Sequence, residues 1–321
     1  MNLTLPRWLG TPPPSAAVEI SARRVTVAVI AQHGGARVLS GYGGEPLPPG
    51  AVEPALNAPN IHDPGALASA IGSALDKMPA RPKRIALVLP DSVGKLSLLR
   101  FEKVPEKVQD LDQLIRWQVR KSAPFKIEDA QVAWVPGIAL PAGGREYVVT
   151  VARRDIIEGY ERACEHAGVH PGIVDLATVN LINAVLGAEG RAAQSADWLL
   201  VHLATEYSTL AVVRGGNVIF FRTRPSERDE DLADLVHQTA MYHEDRLGGG
   251  GFSRVVLAGA SSRGAEAAER LRRELEARIG TRVQALDFRG AVALRDRIAA
   301  APELLDSLAP AIGVILREQV A

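Results

Sequence analysis

Apolar and polar positions along the chain switch between two rhythms. Short apolar runs and period-two alternation mark strands, and apolar positions three and four apart mark helices. The stretch AAVEISARRVTVAVI (16–30) reads as strand, tight turn, strand, over 18–20 and 25–30. WLLVHLATEYSTLAVVR (198–214) repeats that device, and GNVIFFRTRP (216–225) adds a third strand. Further strands are predicted at 84–90, 96–104, 254–260 and 281–288, and a hairpin spans 131–153 around Ala142, Gly143 and Gly144. Helical spacing predicts helices over 64–77, 110–123, 153–168, 226–247, 265–280 and 304–320, and GIVDLATVNLINAVLG (172–187) reads as a strand running into a helix. In the 110–123 helix Leu111, Leu114, Ile115 and Val119 share one side, and Pro124 stops it. The punctuation agrees with these spans. Asp63 is placed to cap a helix with Pro64 in its first turn, and Gly168 to close one. Ser226 with Asp229 resembles a capping box, and Pro310 is able to kink the last helix or set its start. Residues 41–64, rich in Gly and Pro, read as a long loop holding at most one short strand, and 1–15, ending in Pro12, Pro13 and Pro14, as a flexible lead-in.

Both halves thus open on antiparallel strands and finish in strand–helix units. That order predicts an α/β protein with a duplicated actin-like (ribonuclease H-like) fold and a small α+β subdomain inserted into it. Residues 16–94 with 169–195 are expected to form the first lobe, 95–168 the insert, and 196–321 the second lobe. In such a fold a nucleotide sits between the lobes, gripped by the two strand–turn–strand corners.

Composition narrows the function. With 321 residues and 47% hydrophobic content the chain has material for two cores. Lys plus Arg and Asp plus Glu are both 37, giving zero net charge, and no basic stripe stands out, so a nucleic-acid partner is not expected. A single cysteine, Cys164, fits a reducing compartment. No apolar run reaches the ~20 residues that span a bilayer, and the N-terminus has no signal-peptide core. These features predict a cytoplasmic protein.

Three stretches carry a family likeness. RWQVRKSAPFKIEDAQVAW (116–134) is similar to a helix running into a Pro-Phe turn and an acidic residue, here Pro124, Phe125 and Glu128; VARRDIIEGYERACEHAGVHPGIVDL (151–176) and LAPAIGVILR (308–317) follow in the matching order. By these the chain resembles the type IV pilus assembly protein PilM family, relatives of the cell-division protein FtsA, from about residue 17 to 317. The resemblance implies a cytoplasmic adaptor at the inner membrane that binds the tail of a PilN-like membrane protein, with a core of roughly Asn-Leu-Leu-Pro, and meets other pilus assembly proteins. It implies a groove between the first lobe and the insert, expected near Leu98, Leu99, Phe101, Pro124 and Phe125. This chain carries a similar run of its own, Asn2 to Pro6, which could occupy that groove, touch a membrane or be a free tail.

The nucleotide corners depart from the family pattern. The first usually reads Asp-x-Gly followed by Ser; here Glu19, Ile20 and Ser21 stand there. The second, also Asp-x-Gly, is His202, Leu203 and Ala204, followed by Thr205 and Glu206. The third, a Gly-Gly pair, is Gly259 and Ala260. Glycine lets backbone N–H groups approach phosphate and aspartate holds Mg²⁺; Ser21 and Ala204 add a Cβ, and His202 is a poor Mg²⁺ ligand. Weakened or lost ATP binding, no required cofactor and no catalysis are therefore expected. The alternatives are an ATP-driven switch retaining contacts at Glu19, Thr205, Glu206 and Gly259, and the actin-like cytoplasmic component of a type II secretion system.

Other constellations have plainer readings. Gly94-Lys95 lacks the rest of a phosphate loop, so Pro90, Asp91 and Ser92 read as a connector to the insert. Gly248–Gly251 follows a helix rather than a strand and reads as a flexible link. Cys164, His166 and His170 straddle a helix end without a fourth ligand, so no metal is expected. His237 and His243 read as surface residues of one polar helix, and 265–280 as a solvated face.

Overall fold

A computed structural model of the chain describes residues 14–190, 196–226, 232–295, 298 and 300–320. The Asn2–Pro6 run and Asp229 of the expected capping box lie outside the described residues.

The first sheet grows from the N-terminal hairpin. β1 (Ala16–Ile20) pairs antiparallel with β2 (Arg24–His33), and β3 (Ala36–Pro46) extends the hairpin. On its other side β1 pairs parallel with β4 (Arg84–Leu89), and β4 with β8 (His170–Leu176). β3 runs on to Pro46, into the stretch 41–64 expected to be a loop. The glycines there mark a close approach rather than a turn. α1 (Pro64–Asp76) ends over β3, and a side chain at Gly41 would meet the Pro79 ring at 2.5 Å, while one at Gly43 would lie 3.1 Å from the Ala74 carbonyl. Asp63 caps α1 as its sequence position predicts, accepting a 2.8 Å hydrogen bond from the Ala66 N–H.

The insert follows as β5 (Gly94–Phe101), α2 (Val108–Arg120), β6 (Ala130–Ala139) and β7 (Arg145–Arg153), its strands ordered β5-β7-β6. Leu111, Ile115 and Val119 of α2 press onto Tyr147, Val149 and Val151 of β7. Gly143 and Gly144 turn the β6–β7 hairpin at positive φ. α3 (Arg154–His166) then leaves the insert and buries Ile156, Tyr160 and Cys164 against the first sheet, beside α1.

The second sheet repeats the first. β9 (Trp198–Leu203), β10 (Tyr207–Arg214) and β11 (Asn217–Pro225) form an antiparallel meander, and β12 (Val255–Ala258) and β13 (Val283–Ala285) add in parallel, in the order β11-β10-β9-β12-β13. Of the strand expected over 281–288 only 283–285 pairs. α5 (Leu232–Leu247) and α6 (Ala265–Ile279) lie on the outer face. α6 carries Glu269–Arg272, Glu269–Arg273 and Arg272–Glu276 pairs at helical spacing on its water side.

Two helices fill the space between the sheets. α4 (Ala177–Glu189) packs on α7 (Pro302–Val320), and both join one core with Ala17, Ala28 and Val88 of the first sheet and Trp198, Leu200 and Ala211 of the second. α7 begins eight residues before Pro310, so Pro310 lies inside the helix and does not set its start. A short strand just before it, β14 (Ala293–Leu294), pairs with β3, so the chain returns to the first sheet near its end.

Candidate functional site

The two hairpin corners face one another at the centre, where β4 and α4 also end and begin. Asp91, in a 3-10 turn after β4, is 1% exposed. Its Oδ1 accepts from the Thr178 backbone N–H at 3.0 Å; its Oδ2 accepts from the Thr178 hydroxyl and, at 2.7 Å, from the Thr209 hydroxyl. Thr178 has one hydroxyl hydrogen, so with that given to Asp91 its oxygen accepts from His202 Nδ1–H, 2.7 Å away. The His202 ring stands edge-on to Tyr207, with centroids 5.5 Å apart. Residues from β4, α4, β9 and β10 thus close into one buried network. In the sequence alone Asp91 reads as a connector and His202 as an altered corner position. Thr178 and Thr209, the latter 118 residues from Asp91, converge on the same carboxylate only in the folded chain.

The corners close on themselves. The Ser21 N–H donates to the Arg24 carbonyl at 2.9 Å, and the Ser21 hydroxyl accepts from the Arg24 N–H and donates to its carbonyl. The Ala204 N–H donates to the Tyr207 carbonyl at 2.9 Å, and Thr205 is exposed. Beneath them loss of hydration pushes the Glu19 carboxyl up to about 7, against the pull of Arg24. Burial also raises Glu206, and raises Tyr207 well above the usual phenol range, helped by the charges of Asp91, Glu19 and Glu206. Gly259 sits in the left-handed region at φ 80, where a Cβ would overlap the Leu203 carbonyl. Its glycine lets β12 run close beside the end of β9. Two residues on, the Ser261 N–H, the kind of donor that a phosphate would take, is held at 3.0 Å by the Asp306 carboxylate of α7. Ser21, Ala204 and Ser261 thus give their N–H groups to the protein, and Asp91 is enclosed by hydroxyls.

The expected partner residues are split. Alternation along β5 sends Leu99 and Phe101 into the insert core, where Phe125 also packs, and sends Leu98 to the opposite face against the core between the sheets. Pro124 and Phe125 line an open hollow of about 360 Å³ with Arg120 and Lys126. Leu98 lines a separate cavity of about 300 Å³ beside β11. A third cleft, also about 300 Å³, runs between the insert and the first sheet. Ala133 and Thr150 of the insert face Ile157 and Glu161 of α3 and Ile173 and Asp175 of β8 across it. Burial raises both carboxyls, with Arg317 pulling Asp175 back. Sequence pattern alone offered no signal for this wall, because its residues come from five elements.

Elsewhere, His243 is not a surface residue. It is fully buried, stacked on Phe252 with ring centroids 4.4 Å apart, and its Nε2 is 2.6 Å from Asp197 Oδ2, which Arg214 also engages. Gly249, in the run read as a flexible link, lies flat on that ring where a Cβ would overlap it. His237 is half-buried. Cys164 is buried, its thiol pushed up to about 12 by burial, and no group of three metal-ligating side chains occurs among the described residues. Among them, no helix is long and apolar enough to cross a membrane.

The sequence model of the family described as type IV pilus assembly protein PilM matches residues 17–243. The chain belongs to this family. Comparison with curated proteins finds no match. Among solved structures, the PilM-PilN type IV pilus biogenesis complex superposes with a TM-score of 0.80 at 18% identity, covering 94% of this chain and 98% of that one. The ethanolamine utilization protein EutJ from Carboxydothermus hydrogenoformans gives a TM-score of 0.50 at 10% identity, over 95% and 90% of the two chains. The PilM family assignment and the duplicated actin-like fold with its insert are those expected from the sequence.

Proposed function

We propose that the chain is a non-catalytic adaptor of type IV pilus assembly, which holds the cytoplasmic tail of a PilN-like membrane protein at the inner face of the inner membrane. The observation that carries this reading is the self-satisfied centre. A nucleotide site needs donors held open for phosphate, whereas the N–H groups of Ser21, Ala204 and Ser261 and the Asp91 carboxylate are hydrogen-bonded within the protein. An extended tail needs a long wall with apolar purchase, and the cleft between insert and first sheet offers one, with Thr150, Ile157 and Ile173 along it and Glu161 and Asp175 among them. That location agrees with the groove implied by the family likeness but moves it from Pro124 and Phe125 to the inner side of the insert. The PilN component of the superposed complex supports the choice of partner.

Thermal unfolding tests both halves of the reading. A ligand at a hundredfold excess over its Kd stabilises by about 2.7 kcal/mol. A synthetic tail peptide containing Asn-Leu-Leu-Pro is expected to raise the melting temperature, and Thr150→Phe to weaken that peptide at least about tenfold by filling the cleft. Millimolar ATP with Mg²⁺ is expected to leave the melting temperature unchanged; a clear rise would favour an ATP-driven switch instead.

A further inference from the structure

The cavity beside Leu98 has no part in the reading above. It lies where one face of the insert sheet meets β11, the edge strand of the second sheet, with α5 as its floor. Leu96 and Leu98 of β5 form one wall, and Phe220, Phe221 and Tyr242 the other. Phe220 and Tyr242 are in ring contact at 5.4 Å, yet Tyr242 remains 45% exposed.

One group in it is out of place for a simple packing void. Glu146, paired across the sheet with Arg100, is 1% exposed. Its Oε2 accepts from Arg100 Nε at 2.8 Å, while its Oε1 has no hydrogen-bond partner among the described residues. A buried carboxylate oxygen without a donor is costly, and such groups are uncommon in folded proteins. The guanidinium of Arg100 is largely exposed, and Arg246 of α5 enters the same cavity in an exposed position. The neighbouring acids Glu244 and Asp245 are not part of its lining. The mouth is therefore cationic, the walls are apolar and aromatic, and one deep acceptor is unfilled. β11 has β10 as its strand partner among the described residues and also packs against β5 and β6 of the insert.

We propose that this groove takes an extended peptide of a second partner protein, seated between β5 and β11. The peptide would place an apolar side chain among Leu98, Phe220 and Tyr242, set an acidic side chain against Arg100 and Arg246, and give a backbone N–H to Glu146 Oε1. The apolar walls supply the contact area, and the cationic mouth selects the charge of the segment. Because the groove joins insert to second lobe, the segment bridges two parts of the molecule that the PilN-type cleft does not.

The test uses the full chain carrying Thr150→Phe, so that the other cleft is blocked and the two readings stand apart. The probe is a fluorescent seven-residue peptide, Asp-Leu-Asp-Phe-Asp-Leu-Gly, with a lysine-for-aspartate counterpart, followed by anisotropy at low salt. The acidic peptide is expected to bind, the lysine peptide to bind at least about tenfold more weakly, and Arg246→Glu to cut acidic-peptide affinity by at least about tenfold. Hydrogen exchange is expected to show protection gathered at Ile219, Phe220 and Phe221. Absence of acidic-peptide binding, equal binding of the two peptides, indifference to Arg246→Glu, or protection confined to other strands would each overturn the proposal.

Discussion

Glu19 shows how one altered residue changes the balance of a corner. A carboxyl raised from 4.5 to about 7 binds its proton more tightly folded than unfolded. The stability it lends is therefore fully present below pH 4.5 and lost as pH rises to about 7. Glu19→Gln removes that loss. It is expected to raise unfolding free energy at pH 8 by roughly 2 kcal/mol, allowing for partial exposure, and to leave it unchanged at pH 4.5, as urea titrations at the two pH values will read. Cys164 gives a second residue-level expectation. Its buried thiol, raised to about 12, should resist a thiol-reactive dye in the native protein and react on unfolding. The identities of Glu19, Ser21 and Ala204 were legible as departures in the sequence, since a motif position is local. The partners of Asp91 and the burial of His243 were not: both depend on residues that meet only in three dimensions, and a histidine on a polar-looking helix carries no mark of the Asp197 opposite it.

At the scale of elements, glycines decide how closely backbones pass. Gly313 of α7 lies against the Asn180 carbonyl of α4, where a Cβ would overlap it. Gly313→Ala gains helix propensity worth about 1 kcal/mol but overpacks the crossing, so a net loss of roughly 2 kcal/mol is expected in denaturant unfolding. Gly259→Ala combines such an overlap with positive φ and is expected to cost at least as much, with little effect on the insert. The same property explains a misplaced element. Periodicity located helices such as α2, whose Leu111, Ile115 and Val119 form an apolar stripe, but Gly41, Gly43 and Gly44 made the second half of β3 read as loop. Glycine spells turn and close packing with the same letter, and only the helix lying over the strand tells them apart.

For the whole molecule, the duplicated order of strands and helices was readable because each sheet opens with a hairpin and each hairpin has its own alternation. The clefts were not, since each is a meeting of surfaces. The adaptor reading predicts that the insert, with its own small core of Leu111, Ile115, Tyr147 and Val149, communicates with the partner rather than with a nucleotide. Adding the tail peptide should therefore slow hydrogen exchange in β6, β7 and β8 and leave the corners at Ser21 and Ala204 as they were; protection at the corners alone would count against it.

The helix wedged between the sheets begins only at Pro302, whereas the strands that it covers begin at Ala16. A ribosome must therefore make both sheets before the mortar arrives, and until then α4 alone covers their greasy inner faces. Such late, distant contacts are slow to form and invite clumping. Yield in living cells should consequently suffer far more from damage to this final segment than from equal damage to α6, a dependence on chaperones that no inspection of the finished surface would suggest.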